Sequence, residues 1–264
     1  MTKSASQPGP IALIGSGEYL PSMLDIEREL LAGRPPRFVQ IPTAAAPEGA
    51  EVLAKWRRMG EEQAERLGVQ AVPLTIRDRT DAERPDLAEQ VRGAGLVYMS
   101  GGNPGYLAQT LRGTATWGEI VAAWQGGAAL AGCSAGAMAM TGRVPQLRAL
   151  HKPFVPGLGL LPHLRVIPHF DKMLGWAPDM VTRMLVHAPE GATVLGIDEE
   201  TALVGGPHDW VVSGRQSVWT LGHGRREEHP AGSVLRTPPV PGNVPGDVPR
   251  DVPRDGPSRG EGQP

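Results

Sequence analysis

Short apolar segments alternate with helix-like segments along the first 140 residues, and this alternation limits the folds that the chain can adopt. The apolar segments are typical of buried β-strands and cover residues 10–14, 37–41, 69–76, 95–99 and 128–131. Strands separated by helices form parallel sheets, because a parallel connection must cross over and usually does so through a helix. The sequence therefore predicts an α/β fold with three layers, in which helices cover both faces of a parallel sheet.

Glycine-rich turns follow three of these predicted strands, at Gly15–Gly17, Gly101–Gly102 and Gly132–Gly136. The carboxyl ends of parallel strands lie at one edge of the sheet, and ligands bind at that edge. We therefore expect the three turns to gather along one rim, which becomes the predicted location of the functional site.

The pattern changes after residue 143 and predicts a β-rich C-terminal section. The predicted elements are a strand near Val166, a helix over 178–187, a strand over 193–198, an antiparallel pair over 201–204 and 210–213, and a candidate strand over 217–221.

The length of 264 residues fits one α/β domain, which we place at residues 10–229. Residues 1–9 lack the apolar region of a secretory signal and are expected to form a flexible N-terminus. Residues 230–264 repeat Val-Pro units without aromatic residues. Such a segment buries too little surface to offset its chain entropy, so we predict a disordered Pro/Gly-rich tail, with a proline-rich docking site as the alternative.

Charge and cysteine content exclude several classes of function. The formal net charge of −2 indicates neither nucleic-acid binding nor attraction to a membrane surface. No apolar run is long enough to span a bilayer. The only cysteine, Cys133, excludes an internal disulfide and a multi-cysteine zinc cluster. We expect a cytoplasmic protein that needs no metal and no organic cofactor.

Residues 132–136 read Gly-Cys-Ser-Ala-Gly, a G-x-S-x-G motif between a predicted strand and a predicted helix. This context is typical of a nucleophile elbow, in which flanking glycines leave room for a strained serine. The helix N-terminus would also favour a developing oxyanion. Ser134 is therefore the candidate nucleophile, and the alternative is that it only caps the helix within a tight turn.

A serine nucleophile needs a base, and the base needs an orienting acid. His169 is the candidate base because it ends a predicted strand and should lie on the same rim as Ser134; a histidine satisfied by backbone groups is the alternative. Asp198, Glu199 and Glu200 end the next strand. Alternation places Glu199 on the side opposite to the other two, and it leaves open which face carries the acid.

Together, six segments resemble the S51 family of peptidases, which includes the aspartyl dipeptidase peptidase E and the cyanophycinases. The segments fall in family order within residues 10–220 and are IALIGSGE from Ile11, IPTAA (Ile41–Ala45), SGGNPGYLAQTL (Ser100–Leu111), GCSAGAMAM (Gly132–Met140), IPHF (Ile167–Phe170) and GIDEETALV (Gly196–Val204). The resemblance implies a flavodoxin-like, class I glutamine-amidotransferase-like fold. It also implies a triad of Ser134, His169 and Glu199, with Asp198 as the reserve acid.

The resemblance further implies that the backbone N–H of Ala135 and the Gly101–Gly102 turn bind the oxyanion, and that Asn103 shapes this turn and contacts substrate. Amidotransferases with this fold place a cysteine at the centre of the elbow. Here Cys133 precedes the central serine and should pack inward, because adjacent side chains of a strand point apart. Glutamine amidotransfer is therefore disfavoured.

Members of the family favour aspartyl substrates, and cyanophycinases cleave β-aspartyl-arginine units. A guanidinium recognises a carboxylate best, through two parallel hydrogen bonds. The segment after His169 contains Lys172 and Arg183 but lacks the arginine cluster of cyanophycinases, which argues against that activity. Arg183 is the candidate for binding a substrate carboxylate, and a solvated helix arginine is the alternative.

The sequence thus predicts a serine hydrolase of the S51 type that cleaves small peptides or isopeptides, aspartyl-containing ones among them, through an acyl-enzyme. Two alternatives stay open: a catalytically inactive binding protein on the same fold, and an esterase or deacylase with the same triad. A homodimer is a candidate assembly.

Overall fold

The computed structural model describes residues 7–145, 154–176, 178, 181–182, 185, 188, 191–222 and 225–239. Its strands are β1 (Ile11–Ile14), β2 (Arg37–Ile41), β3 (Gln70–Pro73), β4 (Leu96–Met99), β5 (Ala129–Cys133), β6 (Arg143–Pro145), β7 (Phe154–Pro156), β8 (Leu164–Ile167), β9 (Thr193–Ile197), β10 (Thr201–Gly205), β11 (Asp209–Gly214), β12 (Ser217–Gly222), β13 (Arg225–Pro230) and β14 (Val234–Arg236). Its α-helices are α1 (Leu24–Leu31), α2 (Ala50–Leu67), α3 (Arg79–Glu83), α4 (Pro85–Ala88), α5 (Pro104–Leu111), α6 (Ala115–Gln125), α7 (Ala135–Ala139) and α8 (Phe170–Trp176). Short 3₁₀-helices lie at Pro21–Met23, Thr43–Glu48 and Glu89–Val91.

The main sheet has eight strands in the order β14-β11-β10-β1-β5-β4-β2-β3. The five strands from β1 to β3 in this order are parallel to one another, whereas β10, β11 and β14 join by antiparallel pairing. The predicted α/β fold with a parallel sheet and a β-rich C-terminal section is confirmed.

The apolar core forms layers on both faces of the main sheet. All four residues of β1 are buried, and they alternate between two apolar clusters: Ile11 and Leu13 belong to one, and Ala12 and Ile14 to the other. A strand covered on both faces is apolar throughout rather than alternating, which explains the continuous apolar runs of the sequence.

A second sheet has four strands in the order β13-β12-β9-β8. Within it β8 and β9 are parallel, so both end at the same edge. The candidate strand over 217–221 does form, as β12, but it pairs with β9 and β13 rather than extending the hairpin of β10 and β11. The chain turns between β11 and β12, which redirects β12 to the second sheet.

The predicted start of the disordered tail at residue 230 needs correction. Strand β14 pairs with β11, and within it Leu235 is buried opposite Trp210. Thr237 Oγ1 accepts a hydrogen bond of 3.0 Å from the indole nitrogen of Trp210. A short strand and one buried leucine thus anchor this segment to the main sheet. Its Pro/Gly-rich composition had predicted disorder instead. The rest of the predicted tail, residues 240–264, lies outside the described residues.

The predicted flexible N-terminus also needs correction at its end. The N–H of Gly9 donates to the carbonyl of Trp124 at 2.8 Å, and the indole of Trp124 donates to the carbonyl of Gly9 at 2.8 Å. These two hydrogen bonds anchor the main chain at Gly9, and residues 1–6 lie outside the described part. Over the described residues, no helix combines the length and the apolar character that a bilayer crossing requires.

Candidate active site

Ser134 lies at a sharp turn between β5 and α7. Its backbone has φ 50° and ψ −107°, a left-handed φ that non-glycine residues seldom adopt. The N–H of Ser134 donates to the carbonyl of Ile14 at 2.9 Å, which ties the turn to β1. This is the strained strand-to-helix geometry of a nucleophile elbow, and it is not the geometry of an N-cap, because the side chain makes no capping hydrogen bond.

The two glycines around Ser134 are required by close backbone packing. A Cβ at Gly132 would overlap the main chain of Gly136, and a Cβ at Gly136 would overlap the carbonyl oxygen of Met99. Helix α7 therefore packs directly on β5 and β4, and this contact fixes the direction in which Ser134 projects.

His169 follows β8 and reaches Ser134 from the second sheet. Its Nε2 lies 3.1 Å from Ser134 Oγ, and its Nδ1 lies 3.0 Å from Glu199 Oε1. A carboxylate only accepts hydrogen bonds, so Nδ1 carries the proton and Nε2 is free to accept the serine proton. The structure thus brings these three residues together in one hydrogen-bonded line, with the histidine and glutamate side chains each 30% exposed.

The main chain of Glu199 is held on both sides. Its N–H donates to Asp171 Oδ1 at 3.0 Å. Its carbonyl accepts from Gln216 Nε2 at 2.9 Å and from Thr201 Oγ1 at 3.1 Å. Asp171 lies in the first turn of α8, two residues after His169. Its hydrogen bond to Glu199 therefore connects the segments that follow β8 and β9 next to the candidate triad.

Asp198 points into the second sheet. Its Oδ2 accepts from Trp219 Nε1 at 3.1 Å and from the N–H of Ser217 at 3.3 Å. Burial raises the pKa of Asp198, because its charged form loses contact with water. The structure therefore places Glu199, and not the reserve acid Asp198, against the histidine.

The Gly101–Gly102 turn lies beside the elbow, as predicted. A Cβ at Gly101 would lie 3.5 Å from Ser134 Cβ. Gly102 has φ 132°, and a Cβ there would overlap the carbonyl of Ala44. Asn103 caps α5, since its Oδ1 accepts from the N–H of Tyr106 at 2.9 Å. Its side chain thus shapes the turn, and substrate contact by Asn103 stays a prediction.

Comparison with known proteins adds a decisive observation, since the model of peptidase family S51 matches residues 11–208. The chain belongs to peptidase family S51. The matched range contains Ser134, His169 and Glu199, and it confirms the family resemblance noted in the sequence.

Two solved structures resemble this S51 peptidase. One is a crystal structure of a peptidase from an acI-B1 Actinobacterium, which is 40% identical with a TM-score of 0.82 over 88% of this chain and 98% of that chain. The other is a putative peptidase E protein from Listeria monocytogenes EGD-e, with 16% identity, a TM-score of 0.53, and coverage of 85% and 100%; it shows likeness of fold alone. No curated protein sequence matches the chain significantly.

Ala135 and Cys133 flank the serine of the S51 peptidase. Ala135 begins α7 and is buried, so its N–H has no acceptor within the helix. Cys133 is fully buried in the apolar cluster on the other side of the sheet, and this burial raises the pKa of its thiol. The prediction that Cys133 packs inward is confirmed.

Sequence patterns did not single out Glu18, which the structure places at the site. It ends the glycine turn after β1, and a Cβ at Gly101 would overlap its Oε1. The sequence signal that could have indicated Glu18 was its position in a glycine turn on the same rim as the other turns.

Arg183, the candidate for binding a substrate carboxylate, lies outside the described residues. Among those described, no three His, Cys, Asp or Glu side chains are grouped in a way that could hold a metal ion.

Proposed function

We propose that this S51 peptidase is a serine peptidase that hydrolyses small peptides or isopeptides, aspartyl-containing ones among them. The observation that carries the proposal is the unbroken line from Ser134 Oγ through the His169 ring to Glu199 Oε1, with steps of 3.1 and 3.0 Å. A serine hydroxyl is a weak nucleophile alone, and this arrangement supplies both the base and the acid that it needs.

In the first step Ser134 Oγ bonds to the carbonyl carbon of the scissile bond while its proton moves to His169 Nε2. The carbonyl π electrons move to oxygen and give a tetrahedral oxyanion. We expect the N–H of Ala135 and the Gly101–Gly102 turn, which lie on either side of Ser134, to stabilise this oxyanion. Glu199 keeps the ring oriented and stabilises the imidazolium that forms.

In the second step the C–N bond breaks, and the leaving amine takes the proton from His169 Nε2. Ser134 now carries the acyl group as an ester. Water then attacks this ester while His169 takes its proton, and Ser134 leaves with that proton restored to Oγ. The cycle consumes one water and regenerates the three residues, so it requires no metal and no cofactor.

A fluorophosphonate probe, read by intact mass, tests the nucleophile. We expect the wild type to take up one label per chain, Ser134→Ala to take up none, and His169→Ala to react at least about 100-fold more slowly. Ser233→Ala, a serine in the turn before β14, is the matched control and should label like the wild type. Equal labelling of the wild type and Ser134→Ala would overturn the proposal.

Paired substrates test the type of bond that is cleaved. An aspartyl amide and an aspartyl ester share the same acyl group, so their hydrolysis rates separate a peptidase from an esterase or deacylase. We expect the wild type to hydrolyse both and Ser134→Ala to hydrolyse neither. Hydrolysis of the ester alone would replace the peptidase by an esterase, and labelling without any turnover would favour a binding protein.

A further inference from the structure

Glu199 lies where the chain passes from one sheet to the other. Residues 198–200 connect β9 of the second sheet to β10 of the main sheet. The N–H of Asp198 still donates to the carbonyl of Ser217 on β12, at 3.2 Å. The N–H of Glu199 donates instead to a side chain, at 3.0 Å from Asp171 Oδ1. The main chain of the candidate acid is thus held by a residue of α8 at the point where the chain leaves the second sheet.

Asp171 belongs to the same helical turn as the candidate base. The carbonyl of His169 accepts from the N–H of Lys172 at 2.9 Å and from the N–H of Met173 at 2.7 Å, and these bonds close the turn that contains Asp171. The second carboxylate oxygen of Asp171, Oδ2, lies 3.3 Å from Lys172 Nζ. The backbone of Asp171 therefore has a fixed position relative to that of His169, and its carboxylate is restrained at both oxygens.

This helical turn contacts Glu199 at two points. Asp171 Oδ1 binds the main chain of Glu199 at 3.0 Å, and His169 Nδ1 lies 3.0 Å from its carboxylate. The two contacts close a ring that runs from the helical turn through the main chain and side chain of Glu199 to the imidazole. The Glu199 side chain is 30% exposed, so its carboxylate has room to change rotamer. Loss of the contact with Asp171 would open the ring and free the connection over residues 198–200 to shift.

We infer that Asp171 is a positioning residue of the proposed reaction, which keeps the Glu199 carboxylate in place against His169. This inference rests on the proposed function and deepens it. Asp171 acts through Glu199 and takes no part in proton transfer. A carboxylate orients the imidazole and stabilises the imidazolium through a well-placed hydrogen bond, so a displaced Glu199 slows the attack by Ser134. Binding of the substrate does not depend on this contact.

The kinetics of fluorophosphonate labelling test the inference, because several probe concentrations separate the maximal labelling rate from the concentration that gives half of it. We expect Asp171→Ala to lower the maximal rate at least about tenfold and to leave the half-maximal concentration within about twofold of the wild type. Asp171→Asn keeps an acceptor oxygen for the N–H of Glu199, so its rate should stay within about threefold of the wild type.

Two further variants guard against effects on folding. Asp171→Ser stays polar but is one bond too short to reach the N–H of Glu199, so we expect the same loss as in Asp171→Ala, also where the alanine variant fails to fold. Asp78→Ala is the matched control, because Asp78 Oδ1 accepts from the N–H of Asp81 at the same distance of 3.0 Å, at the start of α3. It should lower Tm and leave the labelling rate unchanged.

A double-mutant cycle distinguishes positioning from a general structural role. Residues that act as a unit have non-additive effects, so Asp171→Ala should change the maximal rate by less than about twofold when Glu199→Gln is already present. An equal loss in both backgrounds would show that Asp171 acts independently of Glu199, and it overturns the inference. A wild-type rate in Asp171→Ala overturns it as well, and so does an Asp171→Asn rate as low as that of Asp171→Ala.

Failure of the inference and failure of the proposed function give different results in this assay. Labelling of wild-type Ser134 that no substitution of Asp171 slows overturns the positioning role while the nucleophile stands. Absence of labelling in the folded wild type overturns the proposed function, and the inference falls with it.

Discussion

Several residues at or next to the candidate site have a left-handed backbone conformation. Ser134, His169 and Glu200 have φ values of 50°, 49° and 52°, and each follows the end of a strand. Such conformations cost on the order of 1–3 kcal/mol each and persist where neighbouring contacts impose them. The hydrogen bond from the N–H of Ser134 to the carbonyl of Ile14 is one such contact. The geometry of the line from serine to glutamate therefore depends on strained turns at strand ends.

Glu199 and Asp198 are adjacent carboxylates whose substitutions should change activity to very different extents. Glu199→Gln removes the charge that stabilises the imidazolium, so we expect the acylation rate to fall by about 10²–10⁴-fold. Asp198→Asn changes a side chain that bonds to Trp219 in the second sheet, so we expect the rate to stay within about fivefold of the wild type. Fluorophosphonate labelling rates on folded variants measure both. A larger loss in Asp198→Asn would assign the acid to Asp198.

The sequence identifies some residues of the candidate site and leaves others undecided. Ser134 is predicted by a motif and His169 by a strand end, because both signals are local. The acid stayed open, since alternation separates Glu199 from Asp198 without showing which face meets the histidine. In the structure Trp219 and Ser217, about 20 residues further along the chain, donate hydrogen bonds to Asp198, and Glu199 is the carboxylate that lies against the histidine. The sequence did not indicate Glu18, because its contact with the Gly101 turn joins two segments that are far apart along the chain.

At the scale of elements, the junction of β5 and α7 depends on the absence of a side chain at Gly136. Gly136→Ala would overlap the carbonyl of Met99 and push α7 away from β4, so we expect a loss of about 2 kcal/mol in the free energy of unfolding and at least tenfold slower labelling. Gly118→Ala is the control: Gly118 is exposed on α6 with open space around its Cβ position. It should leave labelling unchanged and stabilise by about 0.5–1 kcal/mol. Equal stability of the two variants would contradict this account of the elbow.

Helices α1 and α2 are joined by a buried carboxyl group. Glu27 is buried, accepts a hydrogen bond from Gln63 Nε2, and has its pKa raised by burial from 4.5 to about 7. A raised pKa means that the folded state binds more protons, so the contribution of Glu27 to stability is fully present below about pH 4.5 and is lost as pH rises through 7.

Glu27→Gln should abolish this part of the pH dependence. Between pH 5 and pH 8 we expect the wild type to lose up to about 3 kcal/mol more than the variant in the free energy of unfolding measured with urea. Glu29→Gln, an exposed carboxylate on the same helix, should follow the wild-type curve. Parallel curves for the wild type and Glu27→Gln would show that the Glu27 carboxyl titrates alike in the folded and unfolded states.

The periodicity of the sequence predicts well where the strands of the first half lie. It predicts poorly which strands pair with one another in the second half. Strand β2 forms at the predicted residues 37–41, and β1, β4 and β5 begin one residue later than predicted. These strands are buried on both faces, which gives an apolar signal that is independent of the partner strand. The candidate strand that becomes β12 gives the same local signal in either sheet. Its pairing with β9 is decided by the turn before it and by long-range contacts.

At the scale of the whole molecule, the candidate site lies where the two sheets meet. Ser134 comes from the main sheet, whereas His169 and Glu199 follow the parallel strands β8 and β9 of the second sheet. Neither sheet holds the complete line of hydrogen bonds. A sequence pattern that identifies strands therefore finds the parts of this site, and only the arrangement of the sheets brings the parts together.

The edge of the main sheet supplies a test of where the folded domain ends. A chain that ends at residue 230 loses β14, so it exposes Trp210 and removes the buried Leu235 and the acceptor Thr237. Loss of a buried leucine and of one hydrogen bond costs about 3–5 kcal/mol, which lowers Tm by roughly 6–20 °C for a domain of this size. A chain that ends at residue 239 keeps these contacts and should melt within about 2 °C of the full chain. Leu235→Ala in the full chain isolates the packing contribution and should fall between the two. Equal Tm values for the chains ending at 230 and 239 would show that β14 contributes nothing to the stability of the sheet. The folded domain would then end at residue 230, as the sequence predicts.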